Sequence, residues 1–187
     1  FSERLENNLD IDLCVVGGGL TGISSALNLA MKGYSVALCE ARILGWGASG
    51  RNGGQLGIGM RKDQFFIEKK LGFEHAKELW NIGLEAVSET TKLISKYNIQ
   101  CALQKGVIHA GFSKRNRDDF HFEIDHMHKY YNYDGYEFFN KHAVKEEINS
   151  DIYNSGLLNN DNYHLNPLKL LLGLANELAK LKVKIYE

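Results

Sequence analysis

The chain has 187 residues, enough for one domain or one and a half with a substantial core. Its 22 Lys and Arg nearly balance 23 Asp and Glu, for a net charge of −1. That balance argues against nucleic acid or an anionic membrane as a partner. The apolar runs are too short to cross a bilayer, so no membrane span is expected. No secretory signal is visible, although the chain begins at Phe rather than Met. The odd set Cys14, Cys39 and Cys101 lacks metal-ligand spacing and suits a reducing cytosol, so the expected location is cytoplasmic.

Residues 1–10 are polar and read as an irregular arm. The apolar run Leu13, Cys14, Val15, Val16 predicts a buried strand ending at Gly17-Gly18-Gly19-Leu20-Thr21-Gly22. A helix follows from Leu20 to about Lys32, with Ile23, Ala26, Leu27 and Ala30 on its apolar face. Gly33 ends it, Tyr34 to Cys39 predicts a second buried strand, and Glu40 closes that strand. Cys14 and Cys39 fall in these two strands, where a free thiol acts as a small hydrophobe. A GxGxxG turn inside a strand–helix–strand unit is a dinucleotide fingerprint. Gly17 permits the tight turn, Gly19 lets backbone approach a pyrophosphate, and Gly22 lets the helix pack closely on the strand. Free N–H groups and the dipole at the helix start favour an anion. Glu40 can accept from ribose hydroxyls, which argues against a phosphorylated ribose and hence NADP. This unit alone leaves FAD and NAD both open.

The stretch from Ala41 to Gly57 is rich in glycine and does not suit ordinary secondary structure. Its small residues and exposed N–H groups suit contact with a flat cofactor or a phosphate. Residues 61–68 are mixed, and Phe73 to Tyr97 predicts a long helix whose stripe includes Trp80, expected in the core. Short strands are expected at Ile99–Leu103 and Gly106–Phe112, with a turn near Lys105-Gly106. Ser113 should cap a helix running to about Tyr131. His121, Asp125 and His128 share one side of that helix, where a solvated face is favoured over a metal. His109 reads as a strand-face histidine satisfied by hydrogen bonds rather than as a substrate contact. The aromatics of 130–139 suit either a substrate site or ordinary packing of a small lobe. Asn140 should cap a short helix from His142 to Ile148, and Ser155 to Leu158 is strand-like. Asn166-Pro167 starts a further helix, and Lys182 to Tyr186 begins another strand.

The combination VVGGGLTGISSALNLAMKGYSVALCEA followed by GWGASGRNGGQ resembles the FAD-dependent amine and amino-acid oxidases of the D-amino-acid-oxidase/glycine-oxidase superfamily. Within that group, GASGRNGGQ is similar to the gamma-glutamylputrescine oxidase-like branch. The resemblance is strong from Asp12 to about Gly57 and traceable through 106–109 and 166–171. It favours FAD over NAD and implies an α/β fold: a Rossmann-like FAD-binding domain of the glutathione-reductase type with an incomplete α+β substrate lobe. Residues 1–60 and 155–187 would form the FAD-binding domain, and 61–154 part of the substrate or cap lobe. The chain would then be the N-terminal part of a larger enzyme.

The resemblance also implies roles. Gly17, Gly18, Gly19, Leu20, Thr21 and Gly22 would meet the pyrophosphate, and Glu40 the adenosine ribose, with Ala41 and Arg42 beside it. Ala48, Ser49, Gly50 and Arg51 would run along the pyrophosphate and ribityl chain. Asn52, Gly53, Gly54, Gln55 and Leu56 would approach the isoalloxazine ring. No His or Cys lies in this loop, so the FAD is expected to be noncovalent. The implied reaction is hydride transfer from the carbon bearing an amine to the flavin, giving an imine that water hydrolyses. No acid or base in this region is required, because the ring carries the chemistry. The expected partners are a small amine or amino-acid substrate and either the remainder of the protein or a second copy. Other readings are an NAD-dependent Rossmann dehydrogenase, a flavin module of a nucleic-acid modification enzyme, and a truncated non-catalytic fragment.

Overall fold

The computed structural model describes residues 3–187. In chain order the elements are β1 (Leu13–Val16), α1 (Leu20–Met31), β2 (Val36–Cys39), a 3₁₀ turn (Ala48–Gly50) and β3 (Gln55–Leu56). Then come α2 (Gln64–Leu71), α3 (Phe73–Lys96), β4 (Gln104–Gly111), α4 (Lys114–Tyr131), β5 (Tyr136–Asn140), α5 (Lys141–Ile148), β6 (Ser155–His164), α6 (Pro167–Lys180) and β7 (Lys184–Tyr186). They form two compact units. The first comprises 3–54, 90–103 and 165–187, and the second comprises 55–89 and 104–164. The expected division is displaced, because 55–60 and 155–164 belong to the second unit and 90–103 to the first.

The first unit is built on a parallel sheet in the order β1-β2-β7, with Leu13 opposite Val36 and Leu38 opposite Ile185. Parallel strands need crossovers, and α1 supplies the one from β1 to β2. Ile23, Ala26 and Leu27 of α1 meet Leu170, Leu171, Leu174, Ala175 and Leu178 of α6 in one core over Val36 and Leu38. The ladder continues past the strand ends: Gly17 N–H donates to Cys39 O and Glu40 N–H to Tyr186 O, both at 2.8 Å. The expected irregular arm is partly ordered. Glu3 bridges to Tyr186, and Glu187 N–H donates to Glu3 O at 3.0 Å. Phe1 and Ser2 lie outside the described residues.

Two expectations fail in this unit. Strand β1 is not fully buried: Val16 is 84% exposed and Cys14 is exposed, because burial alternates along β1 and the face that carries these two is left uncovered among the described residues. Residues 99–103 are not a strand. Cys101 N–H turns back onto Ile99 O at 2.9 Å, and Ala102 takes a left-handed φ of 53°. Ile99 and Cys101 are nonetheless buried, and this alternation imitated a strand.

The second unit has an antiparallel sheet in which β6 pairs with β3, β4 and β5. Its core gathers Ile58, Trp80, Val87, Met127, Tyr131 and Tyr133. Trp80 meets Tyr131 and Tyr133 edge-on, at 5.8 and 5.1 Å between centroids. The expected turn at Lys105-Gly106 is instead a register shift within one continuous β4. Strand β6 runs well beyond Leu158, through the polar cluster 159–162. Buried Asn159 makes that possible by accepting from Tyr133 Oη at 2.7 Å and from the N–H groups of Asp161 and Asn162. Helix α4 starts as expected at Ser113, whose hydroxyl accepts from Asn116 N–H while Asn116 Oδ1 accepts from Ser113 N–H.

Candidate dinucleotide site

The site is assembled at the carboxyl ends of β1 and β2. Gly17 turns the chain out of β1 at φ +105°, a region closed to most side chains. At Gly22 the first turn of α1 passes so close that a Cβ would stand 1.9 Å from Gly17 O and 3.4 Å from Val15 Cγ1. Gly18 N–H donates to Glu40 Oε2 at 2.7 Å, and Arg42 N–H donates to Glu40 Oε1 at 3.0 Å. Each carboxylate oxygen therefore keeps acceptor capacity for a further donor. Ser49 Oγ accepts from Leu20 N–H at 3.1 Å, and Gly18 O accepts from Gly45 N–H at 3.3 Å. These bonds tie the glycine-rich loop to the turn.

Among the described residues, the N–H groups of Gly19, Thr21 and Gly22 have no protein acceptor. The first turn of α1 carries no acidic side chain to offset its dipole. In front of it is a cavity of about 370 Å³, lined from the turn by Gly18 and Gly19, from the end of β2 by Glu40 to Arg42, and from the loop by Ala48 and Ser49. A second cavity, of about 700 Å³, shares Glu40, Ala41 and Arg42 and reaches Tyr186 and Glu187. Unpaired donors, a helix N-terminus and a carboxylate with free lone pairs fit a pyrophosphate next to a ribose diol.

The remaining predicted residues are held by the loop itself. Gly50 ends the 3₁₀ turn. Asn52 Nδ2 donates to Ala48 O and Ser49 O, and Asn52 Oδ1 accepts from Gly54 N–H at 2.8 Å. Gly53 lies between these two, and Gly54 O accepts from Leu165 N–H at 2.9 Å. Gln55 and Leu56 form β3 in the second unit, opposite His164 and Tyr163. Sequence reasoning overlooked Trp46, a wall residue of the first cavity. Its signal was an aromatic ring set between Gly45 and Gly47.

Several other titratable groups have local partners. Burial, with the Cys14 thiol next to it, pushes the Cys39 thiol up. His121 packs on Phe138, with ring centroids 4.1 Å apart, and His128 Nδ1 bonds Asp134 at 2.5 Å. Burial raises the Glu123 carboxyl, which bonds Tyr136 and feels His109 nearby.

Comparison with known proteins identifies the family. The family described as FAD dependent oxidoreductase (DAO) matches residues 12–187, and the chain belongs to it. A probable oxidoreductase OrdL of Haemophilus influenzae is 38% identical over 176 residues, covering 94% of this chain and 41% of that protein. The gamma-glutamylputrescine oxidoreductase of Escherichia coli K12 is 34% identical over 185 residues, covering 99% of this chain and 43% of that protein. The chain thus spans about two fifths of the length of these relatives. Glycine oxidase from Geobacillus kaustophilus shares the fold with a TM-score of 0.77 at 20% identity, over 95% of this chain and 46% of that one. L-amino acid deaminase from Proteus myxofaciens does so with a TM-score of 0.75 at 19% identity, over 100% and 40%.

Proposed function

We propose that the first unit binds FAD noncovalently and that the protein to which this chain belongs oxidises an amine or amino acid. The second unit then serves as part of the substrate lobe. The observation that carries this reading is the set of unpaired N–H groups of Gly19, Thr21 and Gly22, facing the same end of the sheet as the Glu40 carboxylate. In this reading those N–H groups hold the pyrophosphate and Glu40 holds the adenosine ribose. Ala48 to Arg51 follow the chain of the cofactor, and Asn52 to Leu56 approach its ring. When bound, the flavin supplies the acceptor for a hydride from the carbon bearing the amine. Backbone N–H groups of the loop can stabilise negative charge placed beside them without any side-chain acid or base. The absence of His and Cys between 41 and 57 supports noncovalent attachment. Similarity to a gamma-glutamylputrescine oxidoreductase supports a gamma-glutamylated or simple primary amine as substrate. The free thiols and balanced charge support a cytoplasmic location.

The test is the visible spectrum of the purified full gene product, followed by acid precipitation and chromatography of the supernatant. Flavin bands with FAD released into the supernatant are expected, and an amine screen then identifies the substrate. A protein that stays colourless after incubation with FAD refutes the reading.

A further inference from the structure

Trp46 lines the cavity beside the α1 N-terminus, yet it is 45% exposed and belongs to neither hydrophobic core. Two guanidinium groups stand over its ring. Arg51 Cζ is 4.4 Å from the ring centroid and Arg42 Cζ 5.2 Å, both within cation–π range. Arg51 Nε also donates to Trp46 O at 2.6 Å, which locks the arginine to the loop. Among the described residues neither arginine has a carboxylate partner for its side chain. The ring therefore gathers two positive charges at the loop, and Arg42 lines the same cavity as Gly19 and Glu40.

We propose that Trp46 is a positioning residue for the anionic cofactor, holding Arg42 and Arg51 so that their charge adds to the field of the helix N-terminus. The proposal rests on the FAD reading above but assigns a role to a residue outside the fingerprint. A guanidinium on a free stem would sample many rotamers and lose charge density at the cavity mouth. A guanidinium held on an aromatic face presents its charge in one place. The aromatic ring matters here through its quadrupole, which an aliphatic side chain of similar volume does not reproduce.

The experiment uses the full gene product stripped of flavin, with FAD as the probe and ultrafiltration as the measure of binding. Trp46→Leu is expected to weaken FAD about ten-fold, because the arginine side chains must then be ordered when the cofactor binds. It should also flatten the dependence of Kd on salt, because displaced charges are screened more completely. Trp46→Phe keeps an aromatic face and should stay within about three-fold of wild type. Indole emission of wild type minus that of Trp46→Phe isolates Trp46 without any need for the leucine variant to fold, and FAD should quench it. Binding of FAD with that emission unquenched, or with Kd and salt slope unchanged in a folded Trp46→Leu, overturns the role of Trp46 and leaves the cofactor reading intact. Wild type that binds no FAD overturns both.

Discussion

Substituting Gly22 by alanine tests a close backbone approach in the candidate site. The new Cβ would lie 1.9 Å from Gly17 O, whereas real contacts stay beyond 3.0 Å, so something must move by about 1 Å. The obstructing atom is a backbone carbonyl in the turn whose N–H is bonded to Cys39 O, and it cannot swing away as a side-chain tip can. Overpacking of this kind costs about 1–3 kcal/mol, offset by up to about 1 kcal/mol from the better helix propensity of alanine. The net loss of about 1–2 kcal/mol should lower Tm by roughly 2–8 °C for a chain of this size. The same displacement retracts the N–H groups of Thr21 and Gly22, so flavin retained through gel filtration should fall as well. Gly59→Ala is the control, because a Cβ there meets nothing within 4 Å, and its stability should change by less than about 0.5 kcal/mol. Thermal unfolding followed by circular dichroism, with flavin content measured in parallel, reads both variants. A Gly22→Ala protein that melts with the Gly59→Ala control and retains as much flavin would refute the close-approach argument.

Leu171 is fully buried against α1 and borders Gly45 in the site loop, so Leu171→Ala should cost about 2–5 kcal/mol in urea unfolding. Leu172→Ala, at a position 37% exposed, should cost much less, and equal costs would contradict the core assignment. Burial pushes the Tyr131 hydroxyl up to about 12 and raises those of Tyr133 and Tyr136 as well. Above about pH 10 the unfolded chain releases tyrosine protons that the folded chain keeps. Stability is therefore full below that pH and falls as pH rises from about 10 through 12. An alkaline titration should show part of the tyrosinate absorbance appearing only with the loss of ellipticity, and smooth ionisation of all nine tyrosines in a still-folded chain would refute this.

The parts legible in the sequence were those governed by local chemistry. Gly17 to Gly22, Asn166-Pro167 and Ser113 each determine a chain direction within a few residues, and α1, α6 and α4 begin where they require. The long stripe of α3 was equally plain, ending at Lys96 rather than Tyr97. What stayed hidden depended on distant partners. Strand β6 crosses a cluster of Asn and Asp that favours turns in isolation, and only the hydroxyl of Tyr133 and the flanking ladders make it extended. Strand β5 was masked by its aromatic density, and α2 by its weak apolar stripe, although Asp63 caps it through Phe66 N–H at 2.8 Å. In the site, the turn and Glu40 were readable because their spacing is fixed. Trp46 was not, because its meaning lies in two arginines brought over its ring from either side in sequence.

The bond from Leu44 N–H to Glu187 Oε1, 2.9 Å long across 143 residues, bears on how the protein is made. Residues 55–89 and 104–164 leave the ribosome before β7 exists, so the second unit can fold while the first still lacks a strand. At translation rates of about 5–20 residues per second, the glycine loop waits roughly 7–30 s for the residue that anchors it. During that interval the outer edge of β2 is open, and a nascent chain arrested there should be the form most dependent on chaperones.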